Sequence, residues 1–348
     1  MKVMPLEVSE HTHEQKMMIV AGTAIQRGED TPTKGVVNVF EVLDVVPDPD
    51  RPDSGLKLHA ISHEETKGGV TAIESFPSGL LGTGQGQKLM IRGLKEDGSC
   101  LPVAFLDGQC YTTQLKTFAQ SGMWLAADAE KGLWFGSFTE EPYKVNVLAK
   151  SRSRMEIVAA EFLPFEGFLY LIVVDAHTDL HIVQYDPEDP KTLSGLRLLH
   201  RSKFHLGHFP SSMTVVPSTL SPTSQQPMIN GFEDDEPMSK LFQVLTTSYS
   251  GSLGLITPVD ESTYRRLGAM QAHLTSVLEH SAGLNPRAHR GIEGEGFGAR
   301  GVIDGSLVQR INELGSTRRA EVLGRAGADV WALRSDLEII GGDGLEYF

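Results

Sequence analysis

Four side chains alternate within FLYLIVVDAHTDLHIVQY: Asp175, His177, Asp179 and His181. On one extended strand all four would share a face. Two carboxylates with two imidazoles make a donor set that a divalent metal accepts. A second group, GTGQG at Gly82–Gly86, would suit a phosphate if a helix began straight after it, because free amides at a helix start hold anions. A third group is cationic: Arg197, Arg201 and Lys203, then Arg265, Arg266, Arg287, His289 and Arg290. Arginine forks onto phosphate or carboxylate, so Arg201, Lys203, Arg265, Arg266, Arg287 and Arg290 are candidate contacts for RNA or a protein partner. The competing reading of Arg265 and Arg266, which flank an apolar stripe, is a solvated helix flank or an internal salt bridge.

The elements around these groups decide what they can do. Asp175–His181 straddles a turn signal, His177-Thr178-Asp179, which rotates the later pair away; the set reads as polar hairpin-tip residues. Gly82–Gly86 is spaced G-x-G-x-G, neither a dinucleotide fingerprint nor a P-loop. It is followed by Gln87–Leu94, QKLMIRGL, which ends at the turn signal Lys95-Glu96-Asp97-Gly98. That is a second strand, so Gly82–Gly86 is expected to form a hairpin turn. Ser250-Gly251-Ser252-Leu253-Gly254 misses the G-x-S-x-G register. His11-x-His13 lies in a polar segment and reads as a solvated strand end. Cys100 and Cys110 sit in no nucleophile motif and read as small buried or half-buried residues. Asp234-Asp235 falls in a solvated loop. No catalytic residue, cofactor or metal is expected.

The hairpin pattern recurs. Met123–Phe138 turns at Glu130-Lys131-Gly132, Phe168–Tyr185 at His177-Thr178-Asp179, and Leu241–Val259 at Ser250-Gly251-Ser252. Met17–Ala24 with Gly35–Val46 is an earlier copy with a longer tip. One turn residue from each (Gly35, Gly86, Gly132, Asp179 and Gly251) gives steps of 51, 46, 47 and 72. The long step contains the polar stretch Pro217–Pro237, and removing it restores a step of 51. Gly69–Phe76, Gln114–Gln120, Glu156–Pro164 and Ser212–Val216 are expected as strands entering before each hairpin. Pro142–Ala149 and Leu193–His200 are expected as outer strands after it. Units of several strands at this period point to propeller blades, whose repeats run about 40–50 residues.

From Asp260 the period becomes helical. Tyr264, Leu267, Met270, Leu274 and Val277 line one face of Glu261–His280, with Asp260 as its cap and Gly283 closing its end. Asp304, Ser316 or Thr317, and Asp329 start three more helices. Gly291–Gly301 reads as a flexible link. The expected domains are therefore blades over 1–258 and helices over 259–348. The chain of 348 residues has 31 Lys and Arg against 45 Asp and Glu, a formal charge of −14. That excludes general attraction to nucleic acid or anionic lipid, so any RNA contact must be a local patch. No apolar run is long enough to span a bilayer, and two cysteines give no disulfide framework, so a reducing compartment is expected.

TYRRL (Thr263–Leu267), HSAGLNPRAHR (His280–Arg290) and the helix start Asp304–Leu307 resemble the C-terminal region of the largest subunit of the cleavage and polyadenylation specificity factor. GLRLLHRSKFHLGHF (Gly195–Phe209), GGVTAIESF with GQKLMI, and VVPDPDRP (Val45–Pro52) are similar to further motifs of that family. The resemblance runs nearly end to end. It implies a protein several times longer, with three seven-bladed propellers and a small helical domain. This chain would hold about five blades of the last propeller plus the helices. It further implies a non-enzymatic scaffold in a nuclear complex that recognises the polyadenylation signal of pre-mRNA, partnered by the other subunits and with RNA contact secondary. Pro217–Pro237 and Gly291–Gly301 depart from the family pattern. The alternatives are an adaptor for DNA repair, ubiquitin ligation or splicing, as in the sister families, and a propeller hydrolase with a central-channel metal. With the ring open, the chain alone is expected to be marginally stable until the rest of the polypeptide or a partner closes it.

Overall fold

A computed structural model describes residues 1–9, 11–26, 28–29, 31–47, 55–108, 111–118, 121–218, 241–280, 283 and 301–341. The chain is mainly β, in five antiparallel sheets followed by helices. The first sheet runs β1 (Lys2–Glu7), β2 (Gln15–Ile25), β3 (Lys34–Asp44) and β4 (Leu56–Thr66) in chain order. The second holds β5 (Val70–Phe76), β6 (Leu80–Gln85), β7 (Lys88–Leu94) and β8 (Cys100–Asp107). The third holds β9 (Thr112–Phe118), β10 (Met123–Asp128), β11 (Gly132–Glu140) and β12 (Tyr143–Lys150). The fourth holds β13 (Ile157–Phe165), β14 (Phe168–Asp175), β15 (Asp179–Gln184) and β16 (Leu199–His205). The fifth has three strands, β17 (Pro210–Ser218), β18 (Leu241–Ser248) and β19 (Leu253–Ile256). Every sheet is a meander, the topology that short hairpin links allow.

The glycine cluster is a hairpin, but Gly82 and Gly84 lie in its strand and not in its turn. β6 runs through Gln85, and Gly86-Gln87 makes the connection, with Gly86 at φ +55°. Gly82 is needed for packing: a Cβ there would stand 2.3 Å from the Phe76 ring. Leu193–His200 is not an outer strand as expected. Leu193, Ser194 and Gly195 all have positive φ, at +53°, +58° and +82°, which no strand tolerates, and β16 begins at Leu199. The entering strands are found where they were expected, as β5, β9, β13 and β17.

By contact density the chain divides into two units, Met1–Ala160 with Thr192–Leu198, and Glu161–Lys191 with Leu199–Phe348. In the first unit each sheet buries a face on the next. Met4, Leu6, Met18, Val20, Val37 and Val39 of the first sheet meet Val70, Leu81 and Leu94 of the second. Phe76, Leu89 and Ile91 of the second meet Leu115, Trp124 and Trp134 of the third. Each fully buried large side chain contributes about 1.5–3 kcal/mol. The first strands of successive sheets are also tied edge to edge. Lys2 of β1 pairs with Glu74 of β5. Thr71 of β5 donates to the Thr112 carbonyl of β9 at 2.6 Å, and Thr117 of β9 donates to Ser75 at 2.8 Å. Thr113 donates to Ile157 at the start of β13, at 2.9 Å.

The outer face of the first sheet is different. Val3, Met17, Val42 and Leu58 are exposed there. An antiparallel sheet with one wet face ordinarily carries polar residues on it.

In the second unit, Asp260 caps α1 (Glu261–Val277), accepting from the amides of Ser262 and Thr263. The helix stops at Leu278, short of Gly283. Asp304 caps α2 (Gly305–Gln309), which tightens into a 3-10 turn over Arg310–Glu313. α3 (Ser316–Ala326) ends on left-handed Gly327, and Asp329 accepts from the first amide of α4 (Val330–Gly341). Leu267, Met270 and Leu274 of α1 pack with Val308, Ile311, Val322, Leu323 and Leu333.

Candidate functional site

At the β14–β15 hairpin the structure joins two of the four alternating residues and separates a third. Asp175 Oδ1 accepts from the amides of His177 and Asp179 at 2.9 and 3.0 Å, closing the turn. Its Oδ2 lies 3.1 Å from His181 Nε2, across the hairpin. Nδ1 of His181 lies 3.0 Å from His200 Nε2 on β16. Asp179 faces β16 instead, pairing with Lys203 at 2.9 Å and His205 at 2.7 Å. Burial pushes the Asp175 carboxyl upward, but the His181 bond and the turn amides outweigh it and hold the group below its ordinary range. Asp179 is lowered too, against its own burial, chiefly by hydrogen bonds from His205 and Lys203. Asp175 and His181 are both buried, so the Asp-His-His chain staples three strands. Among the described residues, no three His, Cys, Asp or Glu side chains are grouped to hold a metal.

The same turn chemistry recurs at other hairpins. Asp128, which ends β10, accepts from the amides of Glu130, Lys131 and Tyr111. Ser248, which ends β18, accepts from the Ser252 amide at 3.0 Å, so Ser250-Gly251-Ser252 is a turn and not a nucleophile loop. Cys100 is half-buried, 3.4 Å from Ser62 Oγ, and burial raises its thiol pKa. Cys110 and Asp234-Asp235 lie outside the described residues. His11 is exposed, and His13 is exposed beside Glu7 at 2.9 Å.

The structure gives the described cationic candidates acidic or polar partners. Arg201 donates to Gln184 at 2.7 Å and reaches Asp186 at 3.5 Å. Lys203 holds Asp179. Arg265 pairs with Glu261 one turn earlier on α1 and is largely exposed. Arg266 forks onto Asp336 of α4 with two bonds of 2.7 Å, and Asp336 is buried. Arg287, His289 and Arg290 lie outside the described residues, as do most of Pro217–Pro237 and Gly291–Gly301.

Two basic features escaped the sequence reading. Arg92 is buried on β7 and donates to Thr83 and Gln85 of β6 at 2.6 and 2.7 Å; one arginine in an apolar strand gives no outward signal. Lys150-Ser151-Arg152-Ser153-Arg154 is a basic run at the end of β12, and its alternation with serine was the available signal.

A chain of repeated antiparallel meanders followed by capped helices is a β-sheet repeat protein with a helical C-terminal region. It belongs to the CPSF A subunit family, whose model, described as the CPSF A subunit region, matches residues 1–313. It is 50% identical over 349 aligned residues to protein cft1 of Aspergillus niger, covering 99% of this chain and 25% of that protein. It is 43% identical to protein cft1 of Neurospora crassa, covering 92% of this chain and 22% of that protein. With protein cft1 of Schizosaccharomyces pombe it is 32% identical, covering 95% and 23%. The chain thus spans about a quarter of the length of these relatives.

Proposed function

We propose that this chain is a non-enzymatic scaffold segment of the nuclear complex that cleaves and polyadenylates pre-mRNA 3′ ends. Family membership supports the process. The observation that carries the architecture is the edge-to-edge linkage of β1, β5, β9 and the start of β13, with an apolar core between each pair of sheets in the first unit. First strands adjacent to one another, with sheets stacked behind them, are what blades around an axis require. In this reading residues 1–258 are about five blades of a seven-bladed propeller and residues 259–348 are a helical domain. The apolar outer face of the first sheet is then the surface that a further blade of the longer polypeptide covers.

A rigid disc of blades offers loops on two faces while its strand edges stay protected, which suits a protein that organises others. The partners are the other subunits of the complex, and pre-mRNA is a secondary contact. Arg201, Lys203, Arg265, Arg266, Arg287 and Arg290 stand as proposed contacts. Arg265 is the best placed of the four described, because its side chain is 76% exposed even while paired. Pull-down from nuclear extract with the tagged chain tests the reading. Recovery of polyadenylation subunits is expected. Recovery of spliceosomal or ubiquitin-ligase subunits in their place would move the chain to the sister adaptors.

A further inference from the structure

We propose that the first unit carries a single-stranded RNA-binding surface formed by Tyr111, Lys131, Lys150, Arg154 and Arg197. This rests on the pre-mRNA contact in the reading above and places that contact on a surface of which the sequence motifs indicated only Arg197.

Backbone bonds bring three distant segments together. Lys150 and Arg197 are paired in a parallel bridge, with the Lys150 amide donating to Leu196 and the Leu198 amide to Lys150. The Ser151 amide donates to Leu133, and Ser151 Oγ accepts from the Leu133 amide at 3.1 Å. That places the 129–132 turn against 151–153: a Cβ on Gly132 would stand 2.2 Å from Ser151 Oγ. Asp128 ties Tyr111 to the same turn, since its two oxygens accept from the Tyr111 and Lys131 amides.

The charge on this surface runs against the chain's. Residues 128–132, 150–156 and 192–198 hold five basic side chains against three acidic ones, in a protein of net −14. Of the acids, Asp128 is buried and occupied by amides, leaving Glu130 and Glu156 exposed. Lys131, Lys150, Arg154 and Arg197 are all exposed, and among the described residues none of them has a carboxylate within ion-pair distance. Lys131 Nζ donates to the Gly108 carbonyl at 3.0 Å, and Lys150 Nζ sits 3.7 Å over the Trp134 ring. Neither contact cancels a charge, and both hold an ammonium in place.

Tyr111 decides between ligand classes. It is 52% exposed, and its backbone is bonded to the turn that carries Lys131. Single-stranded nucleic acid uses cations for phosphates and an aromatic face for a base. An acidic peptide would use the cations and leave the ring idle.

The test is fluorescence anisotropy of labelled single-stranded oligouridylate with the full chain, against labelled polyglutamate. Lys150→Glu/Arg154→Glu/Arg197→Glu should weaken oligouridylate binding at least about tenfold and make the log K against log salt slope shallower by about two. Tyr111→Ala should weaken it about tenfold without changing that slope. Arg154→Gln/Arg197→Gln, which leaves the Lys150 contact with Trp134 intact, should still cost about fivefold with an unchanged circular dichroism spectrum. The proposal is overturned if the wild-type chain does not bind oligouridylate, or if the charge variants bind as it does. It is equally overturned if polyglutamate binds as tightly and Tyr111→Ala has no effect. The same variants go through the nuclear-extract pull-down. Lost RNA affinity with subunits retained separates this surface from the scaffold reading. An RNA result without captured subunits would sink the scaffold reading alone.

Discussion

Two sets of basic residues, one in each unit, live in different company. In the second unit Arg201, Lys203, Arg265 and Arg266 each face an acidic group, and Arg266 is clasped by buried Asp336. In the first unit Lys131, Lys150, Arg154 and Arg197 rest on a carbonyl, an indole or solvent. Clustering along the sequence is similar in both. What differs is whether folding delivers a carboxylate to the cation, and that decides between a strut and a surface open to an anion.

The sharpest way to break the comparison is at Arg266. Arg266→Ala leaves Asp336 buried and unpaired between α1 and α4, and should cost about 3–5 kcal/mol in urea unfolding. A loss below about 1 kcal/mol would mean the clasp is no more structural than an exposed pair.

Asp175 comes next. Asp175→Ala removes the acceptor for two turn amides and His181, and should cost about 1–3 kcal/mol. Its pKa is depressed in the folded chain, so its contribution is full above the unfolded value of about 3.9 and fades as pH falls through the lower folded value. Urea midpoints measured across pH should lose this part only below about pH 4. Asp175→Asn should flatten that acid limb.

Arg265→Ala, which breaks one exposed pair within a helix, should cost only about 0.3–0.5 kcal/mol, and added salt should erase the difference. The smallest expected effect is on the first unit: Arg154→Gln should stay within about 0.5 kcal/mol of wild type. A clear destabilisation there would show a hidden partner and make the two regions alike.

Much of the fold was legible because local chemistry specifies it. Strand-turn-strand units could be read from Glu130-Lys131-Gly132 and His177-Thr178-Asp179, and α1, α2 and α4 from Asp260, Asp304 and Asp329, since caps and turns need only neighbouring residues. Leu193–His200 was misplaced because LSGLRLLH has strand-like composition, while three consecutive positive φ angles are a tertiary outcome. Gly82 was assigned to the turn when its role is to admit the Phe76 ring, a contact set by how β5 lies against β6. The candidate site was less legible. The basic motifs drew attention to Arg201, Lys203, Arg265 and Arg266; Arg265 has its partner Glu261 one turn away, but nothing within a few residues of the other three announces Gln184, Asp179 or Asp336.

By itself the sequence determined the meander units, the helix starts and the family, because hydrophobic period, capping and motif content are written over short spans. Beyond pairs within one helix such as Arg265–Glu261, tertiary structure decided which cations are neutralised and which segments lie together. Arg266 meets Asp336 across 70 positions, and Lys150 meets Arg197 across a bridge. Such pairings follow from the packing of whole elements, and no local pattern encodes them.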